Sequence, residues 1–381
     1  MTSLAPNATG SPRALPERLS GRLRLWRDRL LADPRFQRFA AGFPLTRSLA
    51  RRHASALFDL CAGFVYSQVL FACVRLRLFD HLVKGPLPPE ELARRLDLGH
   101  EPMMRLVRAA AALGLVEWRG DSIGLGLRGA ALSGNPGAMA MIEHHAMLYA
   151  DLADPVALLR GEVAPSRLRR FWAYGAQDAP DDAPAAYTAL MAASQPLIAD
   201  DILDAYPVGR HRVIVDIGGG DGSFLRQVHR RAPQASLILF DLPPVVALAA
   251  ARPDQPDSLV LRSGHFLHDP LPEGADLATL VRVVHDHDDS VVGQLFRRIH
   301  DVLVPGGTLM IAEPMAQSAA VAPMADAYFG FYLMAMGSGQ ARTPESLRAL
   351  LSAAGFVRVR QCATRRPLFA GLITAQKAEA E

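Results

Sequence analysis

From Arg212 onward the apolar positions fall into short runs separated by amphipathic stretches. Residues 213–217, 237–240, 259–261, 277–284 and 308–312 are rich in aliphatic and β-branched side chains and read as buried strands. Between the last two, Val291, Val292, Leu295, Phe296, Ile299, Val302 and Leu303 recur at helical spacing, and Pro305-Gly306-Gly307 turns the chain into the next strand. Strand alternating with helix predicts an α/β fold with a doubly wound parallel sheet. Thr343-Pro344 opens a helix that stops at Gly355. Residues 357–361 and 368–375 then read as two strands with no helix between them, so the sheet closes with a reversed last strand.

The N-terminal part carries a different pattern. Residues 1–16 show no period and read as irregular. From Glu17 to Arg52 arginines interleave with Leu, Trp26, Phe36, Phe39 and Phe43. Two readings stay open: a solvated helical arm or dimer contact, favoured because Pro34 and Pro44 interrupt the stripe, and a basic amphipathic helix on an anionic membrane. Leu57, Cys61, Phe64, Val65 and Val69 share a helical face. A short helix with Leu92, Ala93 and Leu96 follows Pro88-Pro89. A second carries Leu106, Val107, Ala110, Ala111 and Leu113, and a hairpin turns at Arg119-Gly120-Asp121. Helix, helix, hairpin is a winged-helix pattern. Its second helix offers a DNA groove only Arg105 and Arg108, so a buried or dimerising role is expected and no nucleic acid.

Residues 138–206 are mainly helical and carry Met139, Met141, Met147, Phe171, Trp172, Tyr174, Tyr187 and Met191. A second cluster holds Met324, Met334 and Met336 beside Tyr328, Phe329, Phe331 and Tyr332. Methionine fills irregular apolar space, so the two clusters predict a pocket for a hydrophobic small molecule. The expected organisation is an arm over 1–48, a winged-helix dimerisation domain over 49–137, a helical substrate-lining region over 138–206 and a catalytic domain over 207–381.

Length and charge narrow the class without changing this picture. The 381 residues suffice for two or three domains, and a net charge of +3 is too mild to imply nucleic-acid binding. Three scattered cysteines fit neither a disulfide framework nor a zinc site. No signal-peptide pattern opens the chain, and the uncharged run 60–74 is shorter than the roughly 20 residues of a membrane span. A cytoplasmic location is expected, peripheral at the inner membrane face if the arm binds lipid.

The chemistry gathers at the carboxyl ends of the predicted strands, where open α/β sheets bind ligands. The first strand runs into Gly218-Gly219-Gly220-Asp221-Gly222. A dinucleotide fingerprint would place a third glycine where Ser223 stands, and Asp216 and Asp221 would repel a pyrophosphate. The two acids suit a ligand with a sulfonium and an ammonium, and disfavour a nicotinamide oxidoreductase. The second strand ends at Asp241, nineteen residues past Gly222, the third at His265-Phe266, the fourth at His285-Asp286-His287-Asp288-Asp289 and the fifth at Glu313.

Asp-x-Gly-Gly-Gly-x-Gly, Phe-Asp-Leu-Pro, His-Asp-x-x-Asp, Pro-Gly-Gly and Ala-Glu-Pro, in this order, resemble the S-adenosylmethionine (SAM)-dependent small-molecule O-methyltransferases of the caffeate and polyketide type. The resemblance spans roughly residues 54–377. It implies a class I methyltransferase Rossmann-like sheet behind a winged-helix dimerisation domain, a homodimer, SAM as cofactor and S-adenosylhomocysteine as product. Leu45-Thr46-Arg47, residues 63–68 and Phe171-Trp172-Ala173-Tyr174 look more narrowly like bacterial carotenoid methyltransferases acting on hydroxyneurosporene or demethylspheroidene. An O-methyltransferase of aromatic polyketides or phenols is the competing enzyme reading, and a winged-helix DNA-binding regulator the competing reading of another class.

The roles implied by the resemblance are as follows. Asp216, Gly218, Gly220 and Asp221 line the methionyl part of the cofactor, Asp241 holds the ribose, Leu242 and Phe266 flank the adenine, and His265 and Arg282 complete that site. His285 is the general base, expected neutral, and Glu313 orients it. Met191 packs on the substrate, with Trp172, Tyr332, Met336 and Asp286 as further candidate contacts. No metal is expected, because adjacent residues in the run 285–289 diverge in direction. Three departures matter: His265 stands where the family often has an acid, His287 where it has a tryptophan, and Ala341 where phenolic members carry a second glutamate. A second support for the base is therefore missing from the expected place. His144-His145 has no partner at ligand spacing and stays unassigned.

Overall fold

The computed structural model describes residues 14–162, 166–172, 183–316, 323–367 and 370–380. Of the irregular start expected over residues 1–16, residues 1–13 lie outside these, as do Ala173-Tyr174 and residues 368–369 of the predicted last strand, while residues 14–16 belong to a helix. Two compact units meet inside one helix, the first Met1–Ala72 and the second Cys73–Glu381.

In the first unit α1 (Ala14–Ala32) and α2 (Pro34–Gly42) are separated at Asp33. The Asp33 side chain accepts from the N–H of Arg35, and Pro34 occupies the first turn, where its missing N–H costs nothing. The proline that interrupts the apolar stripe therefore begins a new helix. α3 (Arg47–Arg75) is 29 residues long. The uncharged run 60–74 had been too short to span a bilayer, yet it sits within this longer helix. By length and composition α3 could cross a membrane, with a mean hydropathy of 1.8 over its most apolar window.

The second unit opens with α4 (Leu78–Leu82), α5 (Pro89–Leu96), α6 (His100–Ala112), a hairpin of β1 (Val116–Arg119) and β2 (Ser122–Leu125), and α7 (Leu127–Ser133). Leu87 bridges Ile123 across the hairpin, completing the winged-helix arrangement. α6 buries Met103, Val107 and Ala110, a stripe turned slightly from the predicted one, and exposes Arg105 and Arg108. Four helices follow: α8 (Pro136–Asp151), α9 (Pro155–Leu159), α10 (Arg167–Trp172) and α11 (Ala183–Ala205).

The sheet comprises β3 (Val213–Ile217), β4 (Ser236–Asp241), β5 (Leu259–Ser263), β6 (Leu277–Val281), β7 (Thr308–Glu313), β8 (Val357–Cys362) and β9 (Gly371–Gln376), in the order β5-β4-β3-β6-β7-β9-β8. β3 to β7 run parallel, and β9 is antiparallel to both neighbours. Between them lie α12 (Ser223–Arg231), α13 (Pro243–Ala250), α14 (Asp289–Val302), α15 (Gly330–Met336) and α16 (Pro344–Ala353). Alternate strand residues enter two separate cores. Val215, Ile217, Leu280 and Ile311 pack with Leu295, Phe296, Ile299 and Leu351; Ile214, Leu237, Leu239 and Met310 pack with Ile202, Phe224, Leu225 and Val228. Both faces are covered, so these strands read as continuous apolar runs. Each fully buried aliphatic or aromatic side chain contributes about 1.5–3 kcal/mol relative to exposure.

β6 ends at Val281, three residues earlier than the apolar run predicts. Arg282 adopts a left-handed conformation, φ 60°, and turns the chain out of the sheet. The strand order reverses between β3 and β6, which opens a crevice there.

Candidate active site

β3 carries Asp216 to the edge of this crevice, and the glycine loop follows. Gly218 has φ 72°, and a Cβ there would lie 2.7 Å from the Val283 side chain. Gly220 has φ 59°, and its Cβ would meet nothing nearer than Thr188 at 4.0 Å. The first glycine is needed for close packing, and the second leaves backbone open to a ligand. Asp216 is buried and accepts from the Thr279 hydroxyl at 2.5 Å. Burial pushes its carboxyl up to about 7 against that hydrogen bond, with the Asp241 charge adding to the rise. Asp241, at the end of β4, accepts from the backbone N–H of Gly220 at 2.8 Å and of Leu242 at 2.7 Å. Burial pushes its carboxyl up to about 6, and these two N–H groups limit the rise.

Asp221 departs from expectation. Its carboxylate accepts from the backbone N–H and hydroxyl of Ser223 at the start of α12 and lies 3.1 Å from Arg252 and 3.5 Å from Arg226. Its charge is spent on two arginines and a helix start, so it lines the cavity without offering a free carboxylate. Asp216 and Asp241 remain as the acidic pair. Above the loop, α11 contributes Thr188, whose buried hydroxyl has no hydrogen-bond partner among the described residues. A buried polar atom without a partner beside a glycine-lined opening fits a polar ligand group.

The same cavity is walled by Leu242, His265, Phe266, Arg282, Met191 and Trp172. Phe266 meets the His287 ring edge-on at 5.2 Å, and Trp172 lies 5.7 Å from the same ring. Trp172 thus brings an indole to the cavity wall beside His287 from α10. That helix is set in place by Asp151, whose carboxylate accepts from the N–H groups of Arg167 and Leu168 at 2.8 and 2.9 Å. His265 stacks on His268 at 4.5 Å, and its Nδ1 accepts from Leu267. Burial, followed by the neighbouring His268, holds it below the ordinary histidine value. Arg282 donates to the Ser194 hydroxyl at 2.8 Å, tying the end of β6 to α11 beside Met191.

Past Arg282 the chain makes a short 3-10 turn, Val284–Asp286, which presents His285. Glu313 at the end of β7 reaches under this turn. One carboxylate oxygen accepts from Val283 N–H at 3.0 Å and Val284 N–H at 2.6 Å; the other receives His285 Nδ1. Nε2 of His285 faces Asp286 Oδ1 at 3.2 Å. The second acidic neighbour that Ala341 cannot supply is therefore Asp286, one residue on. Burial acts against charge on His285, but Asp286 and Glu313 outweigh it and hold its pKa above the ordinary histidine value. His285 therefore keeps its proton to higher pH than a free imidazole, and it is the neutral ring above that ionisation that can accept one.

Tyr332 and Met336 do not line this cavity. They sit in a neighbouring cluster with Leu148 and Leu168. The unassigned histidine pair belongs there: His144 Nε2 meets the Tyr332 hydroxyl at 2.9 Å and His145 Nε2 the Tyr328 hydroxyl at 2.7 Å. Burial pushes His144 down to about 4 and lowers His145. Phe329 connects the cluster to the site, its ring edge-on to His285 at 6.1 Å.

Sequence reasoning missed Arg342. Almost fully buried, it donates to the carbonyls of Val284 at 2.8 Å and His287 at 2.7 Å and to Asp289 at 2.7 Å, clamping both sides of the His285 turn. Arg342→Ala leaves these carbonyls unpaired, which costs about 1–3 kcal/mol each. We expect a lower melting temperature and a roughly tenfold loss of turnover, partly restored by Arg342→Lys; an unchanged melting curve and rate would remove the clamp.

Residues 149–357 match the family of the O-methyltransferase domain, and residues 58–126 match the O-methyltransferase dimerisation domain. The chain belongs to this O-methyltransferase family. It is 41% identical over 379 residues to demethylspheroidene O-methyltransferase of Rhodobacter capsulatus, covering 99% of this chain and 95% of that one. It is 32% identical to acetylserotonin O-methyltransferase of Mus musculus, over 84% of this chain and 88% of that one. Among solved structures, human N-acetylserotonin methyltransferase in complex with SAM superposes with a TM-score of 0.71 at 26% identity, covering 86% of this chain and 98% of that one. The calicheamicin-biosynthesis methyltransferase CalO1, bound to S-adenosylhomocysteine, gives 0.69 at 26% identity over 86% and 98%. The fold is thus that of the class I methyltransferases, and the dimerisation-domain match supports a homodimer.

Proposed function

We propose that this O-methyltransferase moves a methyl group from SAM to the 1-hydroxyl of an acyclic carotenoid of the demethylspheroidene or hydroxyneurosporene kind. The near full-length identity with demethylspheroidene O-methyltransferase carries this reading. The apolar, aromatic wall accommodates such a substrate.

The residues fit the donor. Asp216 and Asp241 give a cationic ligand an acidic floor, Gly220 leaves its backbone approachable, and Thr188 offers a spare hydroxyl. Asp241 is assigned to the ribose, Leu242, His265 and Phe266 to the adenine, Gly218 and Arg282 to the methionyl side, and Met191, Trp172 and Asp286 to the acceptor. Bound SAM supplies a methyl group already activated on sulfonium. The chain has to align an oxygen and remove its proton. Alignment supplies about 7–11 kcal/mol through effective molarity. An aliphatic alcohol ionises too weakly to react as its anion, so the proton passes to His285 Nε2 as the O–C bond forms, while Glu313 holds the ring through Nδ1.

We assign the arm, residues 1–48, a further part. Arg22, Arg24, Arg27 and Arg29 surround the exposed Leu23 and Trp26, and Phe39 and Phe43 are exposed on and after α2. Arginine around aromatic and aliphatic side chains suits the headgroup region of an anionic membrane, next to the acyl chains in which a carotenoid dissolves. The winged-helix, substrate-lining and catalytic parts keep the boundaries 49–137, 138–206 and 207–381, and the enzyme is placed in the cytoplasm at the inner membrane face. The test is turnover of a hydroxylated acyclic carotenoid in phosphatidylglycerol vesicles against phosphatidylcholine vesicles and against a soluble phenol. We expect a product heavier by one CH2 unit, formed faster on the anionic vesicles, with the difference erased by high salt. Preferred turnover of the phenol overturns the substrate; equal rates on both vesicles overturn the membrane contact.

A further inference from the structure

Tyr187 lies on α11, 92% buried, in the wall of the cavity. Its hydroxyl donates to Asp286 Oδ2 at 3.1 Å. The other oxygen of that carboxylate is the one 3.2 Å from His285 Nε2. Nδ1 is occupied by Glu313, so Nε2 is the nitrogen left for the acceptor hydroxyl. We infer that Tyr187 is a positioning residue for proton transfer, holding the Asp286 carboxylate in the orientation that faces His285 Nε2. This rests on His285 being the base.

The argument is geometric first. A carboxylate pivots about its last torsion, which is broad and only weakly two-fold. A hydrogen bond to one oxygen from a residue on another element removes that freedom. Tyr187 is held in turn by its buried place on α11 and by an edge-on contact with Phe171 at 6.0 Å. Asp286 then stands beside the nitrogen that receives the proton and stabilises the imidazolium that forms. The phenol has a second effect: its O–H draws charge from the carboxylate that Asp286 turns on His285, and so limits the attraction that holds a proton on the imidazole. The other charged or titratable groups around His285 are Glu313 on β7, Arg282 at the end of β6, His287 on its own turn, Tyr332 on α15 and Arg342 before α16. None of these changes when Tyr187 becomes phenylalanine.

Tyr187→Phe keeps the ring and removes the donor. His285 then holds its proton to higher pH, so the acid limb of kcat/KM moves up by about one pH unit. Turnover falls several-fold at neutral pH and recovers on the alkaline side, while calorimetry shows SAM affinity unchanged. In an Asp286→Asn background the same substitution no longer moves the limb. A superimposable profile, or a loss equal at every pH, overturns the proposal, since packing alone would act uniformly. Failure of the base reading shows separately: His285→Gln would then retain turnover. Loss in that variant with an unmoved Tyr187→Phe profile rejects Tyr187 alone.

Discussion

His285→Ala lowers turnover by about 10²–10⁴-fold, the range a positioned general base contributes, and leaves SAM binding intact. The substitution removes the nitrogen that Glu313 orients and Asp286 faces, and it touches neither Asp216 nor Asp241. The intact enzyme carries a matching pH signature. His285 is held protonated above the ordinary histidine range, and a protonated ring cannot accept the substrate proton. Activity therefore rises with pH through an ionisation above about 6.5, the free imidazole value. Single-turnover rates across pH, with calorimetric SAM affinities for both proteins, check this. Turnover within a few-fold of the parent, or an acid limb below the free histidine value, removes His285 from the role.

Asp241→Ala weakens SAM binding by about 10²–10⁴-fold. Hydrogen bonds to a charged group are worth about 1.5–3 kcal/mol each, and two ribose hydroxyls converge on this carboxylate in the proposed pose. The same carboxylate pins Gly220 and Leu242 through their N–H groups, so its loss also loosens the loop. Asp241→Asn, which keeps one acceptor oxygen, separates the two effects and should lose less. Protons compete with the donor. Burial raises Asp216 to about 7 and Asp241 to about 6, and a cationic ligand prefers both ionised. Affinity therefore falls as pH drops through 7 and then 6, and the lower step disappears in Asp241→Ala. Calorimetry between pH 5 and 8 reads both; unaltered affinity in the alanine variant would exclude the ribose role.

Much of the catalytic half was legible in the chain itself. Strands buried on both faces are written as aliphatic runs, and their ends show as abrupt changes to Gly, Asp, His or Glu. Asp216, Asp241, His285 and Glu313 thus fall on one edge by sequence alone. Distances and partners were not legible. Asp221 lines the cavity, as its place in the loop implies, but its carboxylate also meets Arg252, thirty-one residues away. Tyr332 and Met336 looked like pocket residues by composition, and packing put them in a separate cluster with His144.

By itself the sequence determined the order of strands and helices, the glycine loop and the family, because periodicity and turn chemistry are properties of neighbours along the chain. Only the tertiary structure decided what else surrounds the base. Tyr187, Asp286 and Arg342 lie on three separate segments. A carboxylate or guanidinium acts through direction and separation over a few ångströms, and those are set by how helices and strands pack.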